Sequence, residues 1–326
     1  MDHEYSPFTS TKVHSRLRPG GAGDQRRLPL APHHRRRRAA ALGLVAAVAL
    51  LSGIAVGAGA SGGGATAPRK VAAPSTYLGR IRTLAGNGPR SFAVAEQAAE
   101  NGAINRTMAY TPFVKVAGSQ HREVALTFDD GPGPYTPDIV RVLERLHAPA
   151  TFFEVGVEET YFHAGTAEIV ALGDPIGDHT ETHAPMSELS RKLQQSQLLQ
   201  DTAAIGDYGA PFPRLFRPPY GLWNATTLSL LKRYRMLMVL WTVDTDDYQM
   251  PGVNVIVQRA LTGARPGAII LLHDAGGNRT QTVAALPQII KRLRARGYKL
   301  VTVPKLLLDN PAPKDQDVAA LAGAGG

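Results

Sequence analysis

His179 and His183 stand four residues apart, the spacing that puts two imidazoles on the same side of one helical turn. Two histidines and one carboxylate make a common catalytic metal set that leaves positions open for water. Asp129 and Asp130 offer the carboxylate. They are adjacent at the expected end of a strand, where neighbouring side chains diverge, so one can bind a metal while the other faces a substrate. A bound metal lowers the pKa of its water and polarises a carbonyl. The water still needs a base and the departing group an acid. A free carboxylate and His273 can take those roles, and Arg217 can hold the base carboxylate by a bidentate contact.

These residues fall in five short segments: 127–132 (Thr-Phe-Asp-Asp-Gly-Pro), 179–183 (His-Thr-Glu-Thr-His), 217–221 (Arg-Pro-Pro-Tyr-Gly), 244–248 (Asp-Thr-Asp-Asp-Tyr) and 271–274 (Leu-Leu-His-Asp). Each alone has a plainer reading. Asp-Asp-Gly-Pro is a turn, the histidine pair binds nothing, Arg-Pro-Pro-Tyr is a loop, the acidic run is solvated, and His273 is a core histidine. The combination and its order argue against five separate accidents.

The elements around them follow from hydrophobic periodicity. Residues 123–128 alternate into a strand with Val124, Leu126 and Phe128 on one face. Thr136 caps a helix with Pro137 at its first position, running to about His147. Further strands are expected at 151–155, 215–216, 237–243, 268–272 and 299–303. Helices are expected at 168–172, 190–205, from a cap at Thr226 or Thr227 to Tyr234, at 253–261, and at 283–296 with a kink at Pro287. Strands alternating with helices indicate parallel βα units. Neither a dinucleotide glycine fingerprint nor a phosphate loop is present. The fold class is α/β, a closed or partly closed (β/α) barrel of parallel strands and outer helices, with its polar residues at the strand C-termini.

The 326 residues contain no cysteine, which excludes disulfide scaffolds, thiolate metal sites and a cysteine nucleophile. The net charge of +9 is concentrated: residues 1–38 carry nine Lys/Arg and three acids, six of the nine charges. That distribution is a basic tail rather than a nucleic-acid-binding face, so no nucleic-acid partner is expected. Arg35, Arg36, Arg37 and Arg38 precede a 22-residue uncharged run, 39–60. The run reads as a membrane anchor, or as a signal peptide cut near Ala60, with the rest of the chain extracytoplasmic. Residues 61–75 read as a flexible linker and 76–120 as a lead-in, with a short helix at 91–101 and a weak strand at Phe113, Val114 and Val116. The main domain spans 121–309 and a frayed tail 310–326; a monomer is expected.

The five segments in this order resemble the motifs of the polysaccharide deacetylases, carbohydrate esterase family 4, over roughly residues 121–305. The resemblance implies a distorted (β/α) barrel and metal-dependent removal of N-acetyl or O-acetyl groups from polysaccharides. It makes Asp129 the catalytic base and Asp130, His179 and His183 the metal ligands. Arg217 matches the arginine that tethers the base, and Tyr220 the position whose backbone N–H helps hold the oxyanion. Asp244 matches the partner of the catalytic histidine, His273 the general acid, and Leu271 the leucine lining the acetyl pocket. Tyr248 stands where the family usually has Trp, an aromatic wall of smaller size carrying a hydroxyl. Asp178 stands where Asn is frequent. The implied cofactor is one divalent ion, zinc first and cobalt, nickel or manganese next. The implied substrate is an N-acetylated cell-envelope or extracellular polysaccharide, such as peptidoglycan, a chitin-like chain or poly-N-acetylglucosamine; the alternative is O-acetyl esterase action on acetylated xylan.

Overall fold

A computed structural model of the chain describes residues 89–316. Helix α1, Pro89–Met108, leads into strand β1, Phe113–Val114. Strand β2, Glu123–Gly131, follows, then helix α2, Thr136–Arg145; strand β3, Thr151–Glu154; helix α3, Glu159–Leu172; and strand β4, Ile176–Asp178. Helix α4 is Arg191–Asp207, strand β5 Leu215–Phe216, helix α5 Ala225–Tyr234, strand β6 Leu237–Val239 and strand β7 Val243–Asp244. Helix α6, Val253–Gly263, strand β8, Ile269–His273, helix α7, Thr280–Ala295, strand β9, Lys299–Leu300, and helix α8, Val303–Asp309, complete the order.

The described strands form one sheet in the order β1-β6-β5-β4-β3-β2-β8-β7, with β9 paired to β2. Every strand pair is parallel. The segment after β1 draws the two ends of the sheet together. Val116 forms an antiparallel bridge to Ala268, Thr242 donates its N–H to the Ile269 carbonyl, and its hydroxyl donates to the Lys115 carbonyl. The product is a distorted (β/α) barrel. Because β2 is central, it is buried on both faces rather than alternating in exposure. Val124, Leu126 and Phe128 pack outward with Phe152, Ile139 and Ile290 between sheet and helices. Ala125 instead shares the interior with Phe153, Leu215, Leu237 and Val239.

The interior is closed at the base by α1 and α8, whose Ala103, Ile104, Val303, Leu306 and Leu307 belong to that same cluster. Asn310 stitches the base further, its side chain accepting from His121 N–H and donating to Glu123. The helix foreseen at 91–101 is thus a 20-residue element packed on the barrel, and β1 is a strand of its sheet.

Several expectations need correction. The single strand expected at 237–243 is two, because residues 240–242 turn away to meet β1 and β8; the Leu240 N–H goes to the Val114 carbonyl. The strand at 299–303 stops at Leu300, and α8 begins behind a Thr302 cap with Pro304 in its first turn. The cap of α5 is Asn224, which forms a capping box with Thr227. Helix α7 runs through Pro287 as one element. The membrane-anchored reading is also corrected: no helix among the described residues is long and apolar enough to cross a membrane. The run 39–60, on which the anchor and signal-peptide expectations rested, lies outside the described residues. The membrane partner and the extracytoplasmic placement are therefore not retained.

Candidate active site

All five segments lie at or just beyond strand C-termini, on one end of the barrel. Asp129 and His273 face each other across the β2–β8 register. Asp130 follows, its backbone left-handed at φ 74°, and the β2–β3 register shifts between Asp129 and Gly131. That irregularity sends the two carboxylates in different directions.

Asp130 Oδ1 lies 3.2 Å from His183 Nε2 and 3.7 Å from His179 Nε2. The three potential ligand atoms sit within 4.8 Å of one another. The histidines do not share a helical turn as expected. His179 follows β4, and the chain then folds over the site through left-handed backbone at Thr180 (φ 73°) and His183 (φ 53°), which brings the rings to a centroid separation of 5.0 Å. His179 Nδ1 is 2.7 Å from the Arg217 carbonyl, and His183 Nδ1 is 3.1 Å from the Tyr220 hydroxyl. A neutral imidazole that donates from Nδ1 presents a lone pair at Nε2. Burial, the largest influence, pulls His179 down to about 4, with Asp129 opposing, so it is neutral at pH 7. Burial works to raise the Asp130 carboxyl, but its close contact with His183 and the charge of His273 hold it well below the usual range. Two imidazoles and an ionised carboxylate, aimed at one point, fit a divalent ion.

Asp129 is placed differently. Arg217 Nη1 donates to its Oδ1 at 2.6 Å and to the Thr127 hydroxyl at 2.9 Å. The same guanidinium donates from Nε to the Val239 carbonyl and from Nη2 to the Leu240 carbonyl, and stacks over Phe153 at 4.2 Å. Arg217 is fully buried, a burial tolerable because four of its five N–H groups are met. Asp129 Oδ2 lies 3.7 Å from His179 Nε2, beside the ligand set.

His273 is held by Asp247. Its Nδ1 is 2.7 Å from Asp247 Oδ1, and its backbone N–H donates to Oδ2 at 2.9 Å. The Thr282 hydroxyl also donates to Oδ2. Burial opposes charge on the ring, but the Asp247 hydrogen bond and charge, then Asp130 and Asp129, outweigh it and raise His273 to about 9. This corrects the assignment of Asp244 as the histidine's partner. Asp244 ends β7 and accepts the N–H of Asp246. The left-handed turn at Asp246 (φ 47°) brings Asp247 back under the ring, while Asp246 pairs with Arg259. Three aspartates in four residues are alike by type, and only the turn sorts them.

Asp129, Asp130, His179, His183, Asp244 and His273 line a cleft of about 460 Å³, together with Leu271, Trp241 and Arg279. Tyr220 and Tyr248 stand at its rim, 65% and 40% exposed, and the Tyr248 ring meets His273 edge-on at 5.3 Å. Asp247, Trp241 and Arg279 were not singled out from sequence. The place of Asp247 immediately before the aromatic Tyr248 was a usable signal; for Arg279 none was available.

The chain matches the family model described as polysaccharide deacetylase over residues 117–239. It is 37% identical over 187 residues to a peptidoglycan-N-acetylglucosamine deacetylase of Bacillus cereus, covering 56% of this chain and 87% of that one. It is 37% identical over 199 residues to a chitooligosaccharide deacetylase of a Bradyrhizobium species, covering 57% and 90%. Among solved structures, a carbohydrate esterase family 4 pseudoenzyme from Bacillus anthracis superposes with a TM-score of 0.57 at 29% identity, covering 60% and 69%. With this fold, this site and these relatives, the chain belongs to the polysaccharide deacetylase family.

Proposed function

We propose that this protein hydrolyses N-acetyl groups on an N-acetylglucosamine-containing polysaccharide of the peptidoglycan or chitin type. One observation carries the reading: an arginine-held carboxylate and an aspartate-held histidine flank the same Asp-His-His ligand set in one cleft. Similarity to deacetylases of peptidoglycan and of chitooligosaccharides supports the amide substrate.

Asp130, His179 and His183 would hold a divalent ion, which would supply Lewis-acid polarisation and make water there more acidic. Asp129 takes the proton of the attacking water, and Arg217 fixes its orientation. His273 gives its Nε2 proton to the departing amine; Asp247 holds Nδ1, so the ring cannot turn. Tyr220 contributes its backbone N–H to the developing oxyanion. Its left-handed backbone (φ 59°) re-aims the peptide there at some conformational cost. Leu271, nearly buried in the cleft wall, provides an apolar seat for the acetyl methyl. Acetate and a free amino sugar result, without a covalent enzyme intermediate. Tyr248 walls the sugar site.

The test is acetate release from an N-acetylglucosamine oligomer, N-acetylated peptidoglycan and acetylated xylan, before and after chelation and zinc add-back. Chelator-sensitive release from the amide substrates is expected. Release from xylan alone would replace the amide reading with an ester one. No release from any of them by the zinc-loaded protein would reject catalysis.

A further inference from the structure

Arg279 is the last residue before α7 and is 3% exposed, although it lines the cleft. Its guanidinium is engaged almost entirely by backbone carbonyls. Nε donates to Ala275 at 2.6 Å, Nη2 to Gly276 at 3.0 Å, and Nη1 to Asn278 and Tyr248 at 3.3 and 3.5 Å. A guanidinium has five N–H groups, so this leaves one Nη2 hydrogen. Nη2 lies 3.9 Å from Asp130 Oδ2, a charge–charge contact rather than a direct hydrogen bond.

The two oxygens of Asp130 therefore have different surroundings. Oδ1 faces both imidazoles. Oδ2 faces the Arg279 guanidinium and the backbone of Gly276. A Cβ at position 276 would run into that oxygen, and Gly276 itself has φ 71°. The loop of residues 275–279 thus presses one cation and one side-chain-free residue against the outer oxygen of a ligand carboxylate. Partners of this kind, outside the ligand set, orient ligands and tune their donor strength.

We propose that Arg279 is a positioning residue for Asp130: it holds Oδ2 away from the two imidazoles, so that the carboxylate serves the ion through Oδ1 alone. This rests on the metal-centre reading of the Asp-His-His set. A single ligating oxygen would leave other positions at a bound ion open. Arg217 acts on the base; Arg279 acts on the ligand beside it.

The experiment compares the full chain with Arg279→Gln and Arg279→Lys. Zinc affinity is read by competition with a chromophoric chelator, and coordination by the visible spectrum of the cobalt(II)-loaded proteins; melting of the metal-free proteins controls for folding. Loss of such an outer partner typically weakens metal binding about 10- to 100-fold, and that loss is expected for Arg279→Gln. Its cobalt band should also change, because Oδ2 is freed to coordinate. Arg279→Lys keeps the charge without the fork and should lose less. Zinc affinity of Arg279→Gln within about threefold of wild type overturns the proposal, as does a weakened affinity with an unchanged cobalt spectrum. If Arg279→Gln shows no cooperative melt, Arg279→Lys decides by the same threefold limit and spectrum. A wild-type protein that binds no zinc would overturn the metal-centre reading as well; normal wild-type binding with unaffected variants overturns this proposal alone.

Discussion

Asp247→Asn isolates the charge that supports His273. The side chain keeps its shape, and its amide oxygen can still accept from Nδ1, so the ring orientation survives. The negative charge is lost. His273 is raised from 6.5 to about 9, with Asp247 the leading favourable influence against burial. A shift of that size corresponds to about 3 kcal/mol in favour of the imidazolium. A bound divalent ion repels the imidazolium and offsets Asp129 and Asp130, so the wild-type value in the loaded enzyme lies lower, and the difference between variant and wild type is the informative quantity. With Asp247 neutral, burial dominates and the alkaline limb of the rate profile should move down by about two units. At pH 8, a fall of about two units from about 9 leaves roughly one-tenth of the protonated acid. The asparagine also sets one amide end against a donor, either His273 N–H or Nδ1–H, at a cost of about 1–3 kcal/mol in stability; a melting curve reads that separately. The assay is kcat against pH between 5.5 and about 9.5, paired with an NMR titration of the His273 ring, which needs no turnover. Asp244→Asn is the control, since Asp244 makes no hydrogen bond to the ring and accepts from Asp246 instead. An Asp247→Asn limb within half a unit of wild type, or an Asp244→Asn limb that moves as far, would refute the assignment.

Asp129→Asn should bind zinc within a few-fold of wild type yet lose about 10²- to 10⁴-fold in kcat, the usual worth of a positioned base; full activity would remove Asp129 from that role. His183→Ala should lose zinc and turnover together, checked by metal content after dialysis against buffer. Asp174, buried with one oxygen unpartnered, is raised by burial from 3.8 to about 7, against a hydrogen bond from Ala150 N–H. Its folded form holds the proton more tightly, so its contribution is full below about pH 4 and is lost as pH rises through 7, amounting to about 4 kcal/mol. Asp174→Asn should therefore flatten the fall in urea midpoint between pH 5 and pH 8; an equal fall in both proteins would refute the assignment.

The barrel and its site were legible to different depths. Strands β3 and β8 were readable because β-branched and aromatic runs bounded by turns leave little choice. The five segments were readable because parallel βα units put their loops at one end. What failed was geometry set by tertiary contact. Residues 237–243 are apolar but for Thr242, yet the strand breaks where Leu240 and Thr242 must bond to β1 and β8. The spacing of His179 and His183 suggested a helical turn, but the approach of the rings comes from two left-handed residues that spacing does not encode. Asp244 and Asp247 are the same residue type three apart, and the turn between them decides which reaches His273. Arg279 is a lone basic residue in a polar loop, and only its burial marks it.

The packing of α1 against α8 also bears on where this fold can be stabilised. The described chain enters through α1 and leaves past α8, and both helices cover the base of the barrel. Arg214, just before β5, bonds to Asn105 of α1, and the Tyr110 hydroxyl donates to the Ala312 carbonyl, so entry and exit are tied at the same end. The cleft opens at the other. Among the described residues, the contacts that fasten α1 and α8 and the groups that line the cleft thus lie at opposite ends of the strands, so substitutions that stabilise the base need not touch the cleft.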